Sequence, residues 1–191
     1  QRSLWLLAEM QHQHLEPDVI SYSATISACE KSGEWAWAWR LFAEMQELAS
    51  EPNIVSFNAV ISACEKSKRW DRSMHMLEAM KWQEVELGLI SYNAAISACE
   101  KGARWELAMV MLANMRARRS EPDVISYSAA TSASENCEKW EEALRVLAEI
   151  NERTLEPNRI SMNAAISACE KGVHWEGALL MLGGMQDQRL M

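Results

Sequence analysis

No apolar run in this sequence approaches the roughly 18 residues that a membrane-spanning helix needs, so no such helix is expected. Positive charge is also scarce. The chain has 19 Lys and Arg against 27 Asp and Glu, a formal net charge of −8, which argues against gripping nucleic acid by bulk positive charge. Five cysteines occur, Cys29, Cys64, Cys99, Cys137 and Cys169, but no C-x-x-C pair of the kind that holds zinc. They read instead as small, buried, reduced residues. His12, His14, His75 and His174 have no cysteine or carboxylate at ligand spacing and read as surface residues. No metal site is expected. There is no glycine-rich phosphate loop and no nucleophile paired with a base, so neither a cofactor nor catalysis is expected. No charged-then-apolar leader is visible. The chain begins at Gln1 rather than Met, as expected of a fragment or a processed product. Strand-like alternation is missing throughout.

What is present is a repeat. Apolar residues make up 49% of the 191-residue chain, enough to build one ordinary domain. The string ISACEK occurs at 26–31, 61–66, 96–101 and 166–171, with a decayed copy, TSASEN, at 131–136. Trp35, Trp70, Trp105, Trp140 and Trp175 keep the same 35-residue step. So do all four prolines, Pro17, Pro52, Pro122 and Pro157, with Leu87 in the vacant place. Rare residues that hold a period without a slip mark an internal repeat.

Each copy divides into two helices. Val19, Tyr22, Ile26 and Cys29 lie on one helical face, and Lys31-Ser32-Gly33 supplies a turn. Trp140, Ala143, Leu144, Leu147 and Ile150 form the stripe of the second helix. That helix must stop before Pro157, because proline disfavours helix in the residue before it. Asp18 and Asp123 stand where an N-cap for the following first helix is useful. A lone hairpin cannot bury such stripes, so the copies must stack on one another. The expected architecture is all-α, a right-handed superhelical solenoid. Its units are a partial repeat at 1–18, full repeats at 19–53, 54–88, 89–123 and 124–158, and a C-terminally truncated repeat at 159–191. The tryptophans head apolar stripes and are expected in the core rather than as stacking platforms for bases. Met10, Met45, Met80, Met115 and Met185 close the second helices as gap-fillers.

The first helix Val19–Cys29, the second helix ending Leu41-Phe42-Ala43-Glu44-Met45 and the closing Glu51-Pro52-Asn53 resemble a pentatricopeptide repeat. The uniform 35-residue step resembles the plain subclass of that family, and the resemblance recurs over nearly the whole chain. It implies a module that binds single-stranded RNA, one base per repeat, with no chemistry of its own. It further implies a role in organellar RNA metabolism, in chloroplast or mitochondrion, alongside other RNA-processing proteins.

The same resemblance assigns residues. The second residue of each repeat lies against a base: Ile20, Val55, Ile90, Ile125 and Ile160. All are β-branched and stiff at χ1, as a wedge between bases should be. The fifth and last residues read the base edge. Ser23 with Asn53 and Ser128 with Asn158 imply adenine, and Asn93 with Asp123 implies uracil. Asn58 with Gly88 departs from the pattern and leaves only a weak pyrimidine preference, since glycine offers no side chain. Asn163 has its partner beyond Met191. Lys31, Lys66, Lys101 and Lys171 are implied to face the RNA backbone, and Asn136 breaks that row. Glu30, Glu65, Glu100, Glu135 and Glu170 directly precede these positions and should partly cancel the charge. An acidic helical stack also suits a protein-binding scaffold, which is the alternative reading.

Overall fold

The computed structural model describes residues 2–13, 15, 17–48, 51–118, 120–153 and 155–187. These contain eleven α-helices and no strand: α1 (Arg2–His12), α2 (Val19–Ser32), α3 (Trp35–Glu47), α4 (Ile54–Lys66), α5 (Trp70–Trp82), α6 (Leu89–Lys101), α7 (Trp105–Ala117), α8 (Val124–Asn136), α9 (Trp140–Glu152), α10 (Arg159–Lys171) and α11 (Trp175–Asp187). The all-α class is the one expected. The chain forms two compact units, residues 1–98 and 99–191.

Capping sets where the first helices begin. Asp18, Asn53, Asp123 and Asn158 sit in extended backbone. Each accepts a hydrogen bond from the backbone N–H three residues on, at Ser21, Ser56, Ser126 and Ser161. This satisfies one of the orphan donors of a helix N-terminus. The serine hydroxyls turn back onto the cap residue, closing capping boxes at Asn53 and Asp123. Asp18 is held below the usual carboxylate range, first by the Ser21 backbone N–H and then by the Ser21 hydroxyl.

The turn between the two helices of each hairpin needs one left-handed residue. Gly33 takes it with φ 73°, and Lys68, Ala103, Glu138 and Val173 take it with φ between 50° and 58°. Only the first copy places glycine there, the residue that adopts this conformation without steric cost.

Within each unit the hairpins stack through the aligned stripes. In the first, α2 packs on α3 and α4; in the second, α8 packs on α9 and α10. Tyr22, Ile26, Phe42, Met45, Phe57, Ile61, Leu77 and Met80 are fully buried or nearly so in the first unit, and Leu112, Met115, Tyr127, Leu147 and Ile150 in the second. The methionines at 45, 80 and 115 therefore fill the core as expected. Met10 is half-buried, and the side chain of Met185 lies outside the described residues. Four cysteines are buried. Burial pushes the Cys64 and Cys99 thiols up to about 11, so they remain protonated, small and apolar.

Two buried tyrosines anchor neighbouring layers through their hydroxyls. Tyr22 Oη donates to Glu44 at 3.0 Å and Tyr127 Oη to Glu149 at 2.9 Å. Glu149 also accepts from Arg116 and, at 3.2 Å, from Arg153. Burial alone would raise the Glu149 carboxyl, but the hydrogen bonds from Tyr127 and Arg116 outweigh it and hold it below its ordinary value.

The tryptophans differ from expectation. Trp35, Trp70, Trp105 and Trp140 are half-buried and Trp175 is 66% exposed. Each opens a second helix, at the rim of the hairpin rather than under it. A cationic or imidazole side chain from the next repeat covers the indoles of Trp35, Trp105 and Trp140. The Arg69 guanidinium lies 4.8 Å above Trp35, the Lys139 ammonium 5.8 Å from Trp105, and His174 stacks on Trp140 at 4.2 Å. The Arg69 and Lys139 contacts are cation–π in character, and the His174 contact is a ring stack. His174 is thus a packing partner rather than a plain surface residue. His12 and His75 are exposed, and His14 lies outside the described residues.

Candidate nucleic-acid interface

The second residue of each first helix points away from the core. Ile20, Val55, Ile90, Ile125 and Ile160 are between 54% and 74% exposed, although each is β-branched and apolar. Val55, Ile90, Ile125 and Ile160 stand beside fully buried serines at N3, and Ile20 beside the half-buried Ser21, so burial was sterically within reach of this helix end. Each repeat thus leaves one stiff apolar side chain in water at the same phase.

Beside this row stand the candidate edge-reading groups. In the fourth repeat they touch. Ser128 Oγ lies 3.1 Å from Asn158 Oδ1, while its other acceptor, Val124 O, is at 2.6 Å. In the first repeat Ser23 is equally buried, and its hydroxyl has no hydrogen-bond partner among the described residues. Asn58 and Asn93 are half-buried and Asn163 is exposed. Asn53, Asp123 and Asn158 are also N-caps, so the hydrogen bond that starts each helix fixes the side chain that would face the base. This double duty was not read from the sequence for the asparagines. The N3 serines at positions 21, 56, 91, 126 and 161, four of which bond back to the cap residue, were not singled out either. Their 35-residue recurrence was the available signal.

Gly88 breaks the series. It stands in the cap place but offers no acceptor. Ser91, in the N3 place of α6, is fully buried and directs its hydroxyl to the preceding repeat, donating to Asn58 Oδ1 at 2.7 Å.

The lysine row is exposed at Lys31, Lys66, Lys101 and Lys171. Its acidic neighbours pair across repeats rather than within one. Lys66 Nζ lies 2.7 Å from Glu30 and Lys171 Nζ 3.1 Å from Glu135, while Asn136 Nδ2 donates to the Glu100 carbonyl at 3.1 Å. Exposed pairs of this kind contribute only about 0–1 kcal/mol, so they hold the lysines in line at small cost to any exchange for another anion. Among the described residues no group of three His, Cys, Asp or Glu side chains converges as a metal site.

The arrangement is that of a helical-hairpin repeat protein with one exposed apolar residue and one polar pair per repeat along its first helices. Sequence profiles described as "Pentatricopeptide repeat domain" match residues 5–67, 75–136 and 121–171, and one described as "PPR repeat" matches 55–85. The chain belongs to the pentatricopeptide repeat family. Among solved structures, the maize pentatricopeptide repeat protein PPR10 is similar at 24% identity with a TM-score of 0.73, over 97% of this chain and 26% of that one. PPR10 in complex with an 18-nt psaJ RNA element aligns at 21% identity with a TM-score of 0.68, over 94% of this chain and 31% of that one. The PPR domain of Arabidopsis thaliana protein-only RNase P 1, in complex with tRNA, aligns at 17% identity with a TM-score of 0.77, over 88% of this chain and 89% of that domain. The chain thus spans about a quarter of the length of the maize protein. No curated protein matches it in sequence.

Proposed function

We propose that this chain is a sequence-selective single-stranded RNA-binding module that reads one base per repeat and serves organellar RNA processing, editing, splicing or stability. The observation that carries the reading is the recurrence of exposed β-branched residues at one phase, flanked by short polar side chains, of which Asn53, Asp123 and Asn158 are held in place as helix caps. Ile20, Val55, Ile90, Ile125 and Ile160 would separate successive bases. Ser23 with Asn53, Asn58 with Gly88, Asn93 with Asp123, and Ser128 with Asn158 would meet base edges, with Asn163 serving the fifth. Short hydroxyl, amide and carboxylate groups suit such edges because they donate and accept without filling the groove. Lys31, Lys66, Lys101 and Lys171 would meet phosphates, Lys66 and Lys171 by exchanging their carboxylate partners. The preferred run is A, a pyrimidine, U, A and a pyrimidine, with the N-terminus toward the 5′ end.

Asp123→Asn tests the reading. It converts the third pair to Asn/Asn, for which family resemblance implies cytosine. Titration against AUUAU and AUCAU strands embedded in unstructured RNA should show the third-base preference moving from U toward C, by about 1–3 kcal/mol, with the other bases unchanged. Binding without a switch would contradict base reading, and no binding of either strand would favour a protein-binding scaffold.

A further inference from the structure

Four of the five first helices start from an Asp or Asn cap, and in those the N3 serine hydroxyl closes on the cap residue itself. Ser21 Oγ lies 2.8 Å from Asp18 Oδ1, Ser56 Oγ 2.8 Å from Asn53 O, Ser126 Oγ 2.9 Å from Asp123 Oδ1, and Ser161 Oγ 2.9 Å from Asn158 O. In the third repeat Gly88 has no side chain, and the Ser91 hydroxyl donates to Asn58 Oδ1 at 2.7 Å. Ser91 is fully buried and Asn58 half-buried, so the bond is made on the protein side of the amide.

An asparagine amide has one oxygen that accepts and one NH2 that donates. The Ser91 bond occupies one of the two lone pairs of the oxygen; it turns the oxygen toward the protein and leaves the NH2 on the open side of the planar amide. Cytosine presents a bare acceptor at ring N3 and an amino group at C4, and uracil an N–H at N3 and a carbonyl at C4. An NH2 held against ring N3 pairs with cytosine and sets N–H against N–H with uracil. We propose that Ser91, through this hydrogen bond, is the positioning residue that makes the second repeat select cytosine over uracil. The proposal rests on the base-reading function above.

The test measures binding to strands that differ only at the second base, C or U, and in parallel the third-base switch by Asp123→Asn. The parent chain should prefer C at the second base by about tenfold, the factor that one base contact supplies. Ser91→Ala should bring that ratio close to one and leave the third-base preference alone. Ser91→Thr, which keeps the hydroxyl, should preserve the ratio. Gly88→Ala should preserve it as well, since an added Cβ there meets nothing within 4 Å and creates no cap. A second-base preference that survives Ser91→Ala, or is absent in the parent while Asp123→Asn still switches the third base, overturns the role of Ser91 and leaves base reading intact. Failure of both assays overturns both.

Discussion

Asp123 holds the start of α8, and two substitutions there separate its side-chain chemistry from its charge. Its Oδ1 accepts the Ser126 backbone N–H and the Ser126 hydroxyl, each at 2.9 Å. Alanine removes this acceptor and with it both bonds. Ser126 is fully buried, so its N–H cannot turn to water in compensation, and the loss falls in the middle to upper part of the range of about 0.5–2 kcal/mol for N-cap deletions. Asparagine keeps the acceptor, and the two residues are near-equal caps, so Asp123→Asn should change stability by less than about 0.5 kcal/mol. For a chain of this length, roughly 1 kcal/mol moves the melting temperature by about 2–4 °C. Calorimetry should therefore show a drop of that order for Asp123→Ala and little for Asp123→Asn. Amide exchange should report faster opening of the first turn of α8 in the alanine variant alone. Equal destabilisation by both substitutions would mean that the carboxylate charge matters and the cap does not. No effect from either would refute the reasoning that capping sets these helix starts.

Burial, with the Glu149 hydrogen bond, pushes the Tyr127 phenol from 10.0 up to about 12. A group raised in the fold stabilises it below the unfolded value, so this contribution is complete below pH 10 and is lost as pH rises toward 12. Thermal melts from pH 9 to 11.5 should show the parent losing stability more steeply than Tyr127→Phe, and parallel curves would contradict the assignment. Val173→Gly relieves a β-branched residue at φ 56° whose side chain is 86% exposed. The gain should be about 1 kcal/mol, from roughly 1–2 released less roughly 0.4–1 returned by the freer unfolded chain, and a loss of stability would refute strain at the turn. Trp105→Ala removes a half-buried indole, so a denaturant titration should give about half of the ~3–5 kcal/mol typical of a fully buried one. A full-sized loss would return Trp105 to the core.

Much was legible in the sequence because the structure is local and repeated. Helix starts could be read from Asp18 and Asp123, and the buried stripes from 3-4 spacing, since both arise within one turn of helix. The same repetition concealed what joins one repeat to the next. Trp105 looks like a core residue at the head of its stripe, yet its cover, Lys139, comes from the next hairpin. Glu30 stands beside Lys31 in sequence, but its nearest ammonium is that of Lys66, because helix stacking brings equal phases of adjacent repeats together. The left-handed turn could be predicted only where Gly33 announces it; Lys68, Ala103, Glu138 and Val173 adopt it because the helices on either side leave no other path.

The sequence by itself determined the period, the all-α class, and the phase at which β-branched and short polar residues recur, since these follow from local spacing, capping and the need of each hairpin to bury its stripe. The partner of each polar atom was decided only by tertiary structure. Whether a serine hydroxyl closes its own cap, as Ser126 does, or crosses to the repeat before it, as Ser91 does, depends on which acceptor the stacked helices bring within about 3 Å. No spacing along the chain encodes that distance.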